Sequence, residues 1–370
     1  MPDRRVILKK GLLATQTLLL STAVNSLVSK PLMAATQTWR MPDEAEPHAA
    51  SWMAFGPSES IWGKDLLTGA QDNLALIARS IASFEPVKML VREADYAIAR
   101  RKCGSAVQLL AQEIDDLWMR DTGPLFVTNG QGKLAGVNFN FNGWGEKQDY
   151  ARDANVASFL TSQLGVPSLS SKLVLEGGGI EVDGAGTAII SESCVLNANR
   201  NPHTSKAQCE IELKSILGLK KIIWLPGIAG KDITDGHTDF YARFTSLGVV
   251  VVGLDADTSS YDHAVCMQNI AILRRATDAL GRQLRVIILP APASIRPKYE
   301  SKEFAAGYIN FYICNGVVIA PEFGDIKSDR NARDLLREQF PKREIIQLNI
   351  DAIAAGGGGI HCTTQQQPRT

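Results

Sequence analysis

The sequence predicts an α/β fold built from five repeated units. Three observations support this prediction: paired β-rich runs are joined by tight turns, a helical segment follows each pair, and a further β-rich run ends each unit. Such units bury their apolar faces only together. The chain of 370 residues, 45% hydrophobic and 21% charged, is long enough to hold a large core.

Tight turns between β-rich runs mark four of the units. A glycine ends each turn dipeptide, and glycine is the residue that tolerates the positive φ that tight hairpin turns require. The flanking runs are rich in Ile and Val, as in residues 188–190 and 317–319. The four dipeptides are Asn129-Gly130, Asp183-Gly184, Leu247-Gly248 and Asn315-Gly316.

Helical periodicity follows each hairpin. Gly281 and Pro341 mark the ends of the last two predicted helices, because glycine favours the position after a helix and proline cannot continue one. The predicted helices span residues 154–164, 205–217, 262–280 and 331–340.

Closing strands and an opening unit complete the pattern. Closing strands are predicted at residues 221–225 and 284–289. The opening unit runs from Trp52 through a helix around Leu74 to Phe84, which brings the number of units to five. No Pro- or Ser-rich linker interrupts the chain, so we expect a single domain.

The first residues have the features of a targeting segment. Arg4-Arg5 precedes an apolar stretch from Gly11 to Val28, and the small residues Ala34-Ala35 follow it. This arrangement resembles a twin-arginine secretion signal. Gln16 and Asn25 interrupt the apolar stretch, so a stable membrane anchor is not expected.

We therefore expect residues 1–35 to be a signal peptide and residues 36–370 to form a single catalytic domain exported to the periplasm. The alternative is a basic, amphipathic start to a cytoplasmic protein. The whole chain has 39 basic and 39 acidic side chains, and no basic stripe indicates binding to nucleic acid. Removal of residues 1–35 would leave a net charge of −4, which favours capture of a cation.

The strongest candidate for chemistry is Cys362, which follows four consecutive glycines at 356–359. Glycines allow the backbone to pass close to another group. Cysteine is appreciably nucleophilic near neutral pH, and the Thr and Gln residues after it supply hydrogen-bonding groups. A Gly-rich disordered tail is the alternative, but the strand-like run 344–348 just before the glycines argues against it.

Partners for this cysteine are predicted from two further patterns. His237 and Asp239 lie at the start of a predicted hairpin, residues 240–252, and in a strand residues i and i+2 share one face. Asp121 and Glu176 each follow apolar or aromatic residues and precede glycine, as loop residues at the rim of a sheet do. The sequence thus offers one thiol, one imidazole and three carboxylates.

Three chemistries can use such a set. Metal binding is possible, but Cys-x-x-Cys or His-x-x-x-His spacing is absent. A papain-like hydrolase places its cysteine before its histidine, whereas here the cysteine comes last. Several carboxylates beside a thiol indicate a planar cation such as a guanidinium, whose five N–H donors pair with carboxylates.

The motifs resemble those of the agmatine deiminase family, within the guanidine-modifying enzymes that include bacterial peptidylarginine deiminases. They run from residue 41 to the end of the chain in the family's order. The matching segments are 41–48 with Ser51-Trp52, 118–124, 139–145, 175–179, 197–202, 236–239, 308–312 with 321–325, and 357–368.

The resemblance implies a closed α/β propeller with five-fold pseudosymmetry, the pentein fold, and an active site at its centre. It implies that Cys362 is the nucleophile and His237 the general acid/base. It implies that Asp121, Glu176 and Asp239 bind the guanidinium. No metal or organic cofactor is expected, and the resemblance implies a homo-oligomer.

The expected reaction is hydrolysis of agmatine to N-carbamoylputrescine and ammonia through a covalent thiouronium on the cysteine. Trp118 and Trp144 are expected near the site, where an aromatic face can stack on a guanidinium or pack in the core. Export instead favours peptidyl-arginine as the substrate. Free arginine would require a cation for its carboxylate, for which Arg200 and Arg243 are candidates unless they form structural ion pairs.

Two other functions share these residues: an amidinotransferase, which passes the amidino group to an amine, and a catalytically silent guanidine-binding protein. His361 is expected to alternate to the face opposite Cys362 and to have a structural role. Asp255, Asp257 and Asp262 lack the pattern of a calcium loop, so a solvated loop or helix cap is expected. The other cysteines, at 103, 194, 209, 266 and 314, are expected to be buried.

Overall fold

The computed structural model describes residues 38–301 and 303–370, so the predicted signal peptide at residues 1–35 lies outside the described residues. Within these residues, seventeen β-strands form five small sheets. The strands are β1 Trp39–Arg40, β2 His48–Phe55, β3 Val87–Val91, β4 Val107–Ala111, β5 Leu125–Asn129, β6 Leu134–Asn138, β7 Ser168–Ser170, β8 Ile180–Val182, β9 Thr187–Ser191, β10 Lys221–Leu225, β11 Ala242–Ser246, β12 Val249–Leu254, β13 Arg285–Pro290, β14 Tyr312–Cys314, β15 Val317–Glu322, β16 Glu344–Asn349 and β17 Gln365–Pro368.

Helices connect the strands of each sheet. The α-helices of the described residues are α1 Glu59–Ala82, α2 Tyr96–Cys103, α3 Met119–Thr122, α4 Gly143–Glu146, α5 Val156–Leu164, α6 Glu192–Val195, α7 Lys206–Leu217, α8 Tyr261–Arg275, α9 Ile326–Gln339 and α10 Asp351–Ala355. Short 3-10 turns stand between several of these elements; two of them contain Asp239 and Cys362, and a third directly follows Glu176.

Four sheets share one topology, in which an antiparallel hairpin is followed by a helix and a parallel strand. The hairpins are β5–β6, β8–β9, β11–β12 and β14–β15, and the parallel strands are β7, β10, β13 and β16. The four predicted turns lie in these hairpins. Gly184, Gly248 and Gly316 have φ of 68°, 75° and 79°, which a glycine adopts without strain.

The fifth sheet combines both ends of the described chain. β17 pairs antiparallel with β2, and β3 and β4 follow in parallel after helices α1 and α2. The hairpin partner of the opening unit therefore comes from the C-terminal strand that directly follows Cys362. This pairing fixes the cysteine segment against the N-terminal sheet.

Two predicted helices differ from the structure at their ends. Helix α8 ends at Arg275 rather than at residue 280, because the Asp278 side chain accepts the backbone N–H groups of Leu280 and Arg282, both at 2.9 Å, and forms a turn instead. Helix α9 begins at Ile326, five residues before its predicted start, because Asp325 caps it by accepting the N–H of Ser328.

The helices pack on their sheets through buried apolar side chains. Leu74 and Ile77 of α1 lie in one cluster with Met53, Met89 and Ile319 of the strands. Burying a side chain of this size contributes about 1.5–3 kcal/mol. The candidate site residues, by contrast, lie in short helices and turns between strands, where side chains can face a cavity.

The five cysteines expected to be buried are buried and free in the structure. Asp257 accepts the N–H of Ser259 and Ser260 caps α8, so this acidic loop has the turn and cap contacts that the sequence indicates. In the part of the chain that the structure describes, no helix is both long and apolar enough to span a membrane.

Candidate active site

Cys362 lies in a 3-10 turn, His361–Thr363, and its segment is tightly packed. A Cβ on Gly356 would overlap the ring of Trp62, one on Gly358 the ring of Trp118, and one on Gly359 the amide of Asn310. Only glycine fits at these places, because the backbone itself is the contact surface. The four glycines are therefore a packed turn, and the alternative of a disordered tail is wrong.

The Cys362 thiol has polar neighbours on two sides. Asn310 Nδ2 donates to Sγ at 3.3 Å, and Sγ lies 3.6 Å from Asp239 Oδ2. Burial, with the negative charges of Asp239 and Asp121, raises the pKa of the thiol well above its ordinary value. A cation placed beside the sulfur would oppose both charges and lower that pKa.

His237 precedes a 3-10 turn, Thr238–Phe240, and β11 begins only at Ala242. The prediction that His237 and Asp239 share a face of one strand is therefore wrong. A turn brings them to the same region instead, because the chain bends between β10 and β11 before it pairs. Both side chains are buried, at 2% and 1% exposure.

The imidazole of His237 is held by Glu176. Nε2 lies 3.2 Å from Glu176 Oε2, and Nδ1 lies 3.8 Å from Asp121 Oδ1. Burial lowers the pKa of His237, but the charge of Asp121 and contacts with Cys194 and Glu176 outweigh it and raise the pKa well above its usual value. The ring is thus poised as a proton donor.

Glu176 lies behind His237 rather than on the cavity wall. Arg200 Nε donates to both of its oxygens, at 2.8 and 3.1 Å, and Cys194 Sγ donates at 3.3 Å. Burial raises the pKa of Glu176, but the opposite effect of His237 and Arg200 is larger, and the pKa falls to about 2. The sequence resemblance predicts that Glu176 contacts a guanidinium directly. The position of Glu176 behind His237 does not favour this contact, which stays a prediction.

Asp121 is in α3 and faces the cavity. Its Oδ1 accepts the N–H of Gly178 and its Oδ2 accepts Trp144 Nε1, both at 3.0 Å. Gly178 must be a glycine, since a Cβ there would crowd His237 Nδ1 at 2.5 Å. Burial, together with the charges of Asp239 and Glu176, raises the pKa of Asp121 to about 6 against the opposing effect of His237.

Asp239 has one oxygen in use and one available. Its Oδ2 lies 2.7 Å from His361 Nδ1, and its Oδ1 is buried without a hydrogen-bond partner among the described residues. Burial raises its pKa, but the hydrogen bond and charge of His361, together with the charges of His237 and Arg243, outweigh burial and lower it. An ionised carboxylate with an unpaired buried oxygen is suited to accept an N–H of a cation.

A cavity of about 690 Å³ lies at the site. Cys362, His237 and Asp121 line it, as do Trp118 and Trp144. The two indole N–H groups donate to carboxylates, Trp118 to Asp116 and Trp144 to Asp121, each at 3.0 Å. Both tryptophans thus lie at the cavity, and stacking on a guanidinium stays a prediction.

A thiol, an imidazole and a carboxylate lie close enough to ligate a metal. One ligand atom each of Glu176, Cys194 and His237 lies within 4.8 Å of the others. The Arg200 guanidinium already contacts both Glu176 oxygens, and its positive charge disfavours a metal cation there. The arrangement fits a hydrogen-bonded support for His237 better than a metal centre.

A second buried network supports the cysteine side, and its central residue, Glu44, was not predicted from the sequence to have a role. Glu44 Oε2 lies 2.8 Å from His361 Nε2 and accepts Arg120 Nη2 at 3.0 Å, and Oε1 accepts Arg243 Nη2 at 2.8 Å. His361 is therefore bonded to two carboxylates from a 3-10 turn, so the expected strand alternation is wrong.

The arginines proposed for a substrate carboxylate are both occupied elsewhere. Arg200 pairs with Glu176 and Asp235, and Arg243 pairs with Glu181 and Glu44, all through buried atoms. Neither lines the cavity. They are structural ion pairs, and the suggestion that one of them binds a carboxylate is not supported.

Comparison with known proteins places this site in a family. A protein of Streptomyces coelicolor, provisionally named agmatine deiminase, is 44% identical over 342 residues, 90% of this chain and 100% of that protein. An agmatine deiminase of Medicago truncatula is 36% identical over 361 residues, 89% of this chain and 96% of that protein. The solved agmatine deiminase of Enterococcus faecalis is 32% identical, with a TM-score of 0.84 over 90% of this chain and 96% of that structure.

The family model that matches describes the Porphyromonas-type peptidyl-arginine deiminases, and the match covers residues 40–368. This range contains every candidate site residue and all five sheets except the first residue of β1. The chain belongs to the Porphyromonas-type peptidyl-arginine deiminase family.

Proposed function

We propose that this protein hydrolyses the guanidinium group of agmatine to N-carbamoylputrescine and ammonia. One observation carries the proposal: a buried thiol, an imidazole and a carboxylate, those of Cys362, His237 and Asp121, line a single cavity in a member of this family. The agmatine deiminases of Medicago truncatula and Enterococcus faecalis, similar over most of this chain, support it.

The first half-reaction joins the Cys362 sulfur to the guanidinium carbon. Asp121 and the unpaired Oδ1 of Asp239 accept guanidinium N–H groups and keep the cation in place. The cation stabilises the thiolate, because it offsets the negative charges that raise the thiol pKa. As the C–N bond breaks, His237 donates a proton to the departing ammonia, and a thiouronium remains on the sulfur.

The second half-reaction releases the product. His237, now neutral, takes a proton from a water molecule that attacks the thiouronium carbon. The C–S bond then breaks, its electron pair returns to sulfur as thiolate, and the remaining hydroxyl proton is released to solvent as the ureido carbonyl forms. Glu176, held ionised by Arg200, stabilises the protonated form of His237 in both halves.

The charge of the cavity favours agmatine over free arginine. Acidic side chains also line its outer part, including Asp232, Asp255, Asp262 and Glu303. Apart from His237, Lys231 is the single basic residue among the described lining residues. A substrate with a cation at each end and no carboxylate suits this lining.

The test is ammonia release from agmatine, free arginine and an arginine-containing peptide, without an added acceptor amine. We expect release from agmatine, no release by Cys362→Ser, and normal release by Cys209→Ser, a matched change of a buried cysteine that does not line the cavity. Release only from the peptide would move the assignment to a protein-arginine deiminase. Ammonia that requires an acceptor amine would indicate an amidinotransferase, and silence with binding would indicate a guanidine-binding protein.

We also propose that the five sheets form a closed propeller with five-fold pseudosymmetry. Four sheets repeat one topology, and the fifth joins β17 to β2, which is the pairing that closure requires. The measurement is an experimental structure. Rotations near a fifth of a turn between successive sheets are expected, and an open arc would contradict closure.

We propose export through the twin-arginine signal at residues 1–35, and the support for it is in the sequence alone. Replacing Arg4 and Arg5 by lysine should retain the protein in the cytoplasm, as cell fractionation would show. Equal distribution of the wild type and the double variant would favour a cytoplasmic protein.

A homo-oligomer of residues 36–370 is a further proposal, which the family resemblance implies. Light scattering on the purified protein at micromolar concentration tests it. A mass equal to that of one chain would contradict it.

A further inference from the structure

The His361 ring lies between two carboxylates. Nδ1 is 2.7 Å from Asp239 Oδ2, and Nε2 is 2.8 Å from Glu44 Oε2. The ring is buried, with 2% exposure, and does not line the cavity. Through Asp239 it is one side chain removed from the Cys362 sulfur.

Both contacts require a hydrogen between the paired atoms. An ionised carboxylate only accepts, and a neutral imidazole has a single N–H. The contact with Glu44 is fixed from outside, since Arg120 and Arg243 hold Glu44 ionised and lower its pKa against the effect of burial. The contact with Asp239 is the one that can influence the site, because the remaining oxygen of Asp239 is unpaired.

We propose that His361 is a positioning residue, which donates a hydrogen bond from Nδ1 to Asp239 Oδ2 and so keeps that carboxylate charged and oriented, with Oδ1 left to accept the guanidinium. Glu44 fixes the ring from the other side. The inference rests on the proposed function, because it assigns Asp239 to the guanidinium.

Other charged groups around this pair stay unchanged when His361 is replaced. Asp239 is influenced by His237, Arg243, Cys362 and Asp121 in addition to His361. His361 is faced by Glu44, Arg120 and Arg243. A change of residue at position 361 therefore isolates the donor to Asp239 from the rest of the charge environment.

Two substitutions separate the two nitrogen positions. In Asn the amide nitrogen is two bonds beyond Cβ, as Nδ1 is in His, so His361→Asn can still donate to Asp239. In Gln it is three bonds beyond Cβ, as Nε2 is, so His361→Gln can still donate to Glu44 but leaves Asp239 without its donor.

The measurement is the pH dependence of kcat/KM for ammonia release between pH 5 and 9. The acidic limb of this profile reports groups of the unliganded enzyme. In the wild type we expect Asp121, with a pKa raised to about 6, to set this limb. Without the His361 donor, the pKa of Asp239 should rise, because only His237 and Arg243 then oppose the effect of burial. The limb of His361→Gln should then be steeper and lie about one pH unit or more higher, the size expected for loss of a charged hydrogen bond.

His361→Asn should keep the limb of the wild type. A limb of folded His361→Gln that coincides with the wild type would overturn the inference, and so would an equal shift in both variants. If His361→Gln does not fold, His361→Leu, which has no donor, takes its place; its limb should shift, and an unmoved limb would overturn the inference.

His48→Asn is the matched control. His48 is also buried, with Nδ1 3.0 Å from Glu85 Oε1 and Nε2 2.8 Å from the Glu44 carbonyl, but it does not line the cavity. This change should lower the melting temperature without moving the limb. A wild type that releases no ammonia from any of the three substrates would refute the proposed function, whereas an active wild type with an unmoved His361→Gln limb would refute this inference alone.

Discussion

The two buried histidines of the site have contrasting surroundings. His237 has one nitrogen on Glu176 and its other nitrogen near the cavity, 3.8 Å from Asp121. His361 has both nitrogens within 2.8 Å of carboxylate oxygens and does not reach the cavity. A histidine that exchanges protons with a substrate needs one nitrogen available, and only His237 meets this condition.

The charges around His237 and His361 differ as well. Carboxylates dominate around His237 and raise its pKa despite burial. Around His361, burial and the charges of Arg120 and Arg243 lower the pKa against the effects of Glu44 and Asp239. Arg120 and Arg243 oppose a positive charge on the His361 ring, whereas Asp121 and Glu176 favour one on the His237 ring.

Apart from loss of the nucleophile itself, the largest effect should come from removing the imidazole that faces the cavity. His237→Asn is expected to lower kcat by about 10²–10⁴-fold, the usual contribution of a general acid/base, with the protein still folded. Steady-state ammonia release measures this, beside the His48→Asn control. A loss below about tenfold would assign proton transfer to another group.

The two carboxylates that act on the Cys362 thiol, Asp121 and Asp239, should respond differently to pH. Burial raises the folded pKa of Asp121 from 3.8 to about 6, so the stability it contributes is present below pH 3.8 and is lost as the pH rises through about 6. As the pH rises from 5 to 8, the unfolding free energy of Asp121→Asn should therefore increase by about 1 kcal/mol relative to that of the wild type.

Asp239→Asn should show no such gain. The folded pKa of Asp239 is lowered, so its contribution is present above its unfolded value and is lost only as the pH falls through the lower folded value. Denaturant unfolding of the wild type and both variants at pH 5 and 8 measures the contrast. Parallel behaviour of the two variants would contradict the difference in their surroundings.

A smaller effect is expected when the charge behind His237 is removed. Glu176→Gln keeps the shape of the side chain but removes the charge that helps to hold His237 protonated. Since His237 must donate a proton in the first half-reaction, activity should be lost at a lower pH on the basic side. We expect the basic limb of kcat to move down by about one pH unit, with a loss that approaches tenfold only above the wild-type pKa of His237. An unmoved basic limb would show that Glu176 acts elsewhere, for example on the guanidinium itself.

Much of this site could be predicted from the sequence because glycines and apolar runs are local signals. The hairpin turns and the packed glycines before Cys362 follow from backbone freedom, which each residue carries with it. The geometry of His237 and Asp239 could not be predicted from alternation, because a 3-10 turn has no period of two. Glu44 is 317 residues from its partner His361 in the sequence, and no local pattern predicts such a contact.

The smallest effect is expected at Cys194, the second thiol near the site. Cys194 Sγ donates a weak hydrogen bond to Glu176 Oε2, and burial and the charge of Glu176 raise its pKa to about 11, so it acts as a neutral donor. Cys194→Ser keeps a donor to Glu176 in nearly the same volume and should change kcat by less than about threefold, because a serine hydroxyl can replace the weak thiol donor. Cys362→Ser, measured beside it, should remove all activity. A loss with Cys194→Ser as large as with Cys362→Ser would mean that the thiol behind His237 takes part in the chemistry, and it would overturn the assignment of Glu176 and Cys194 as a support for the imidazole.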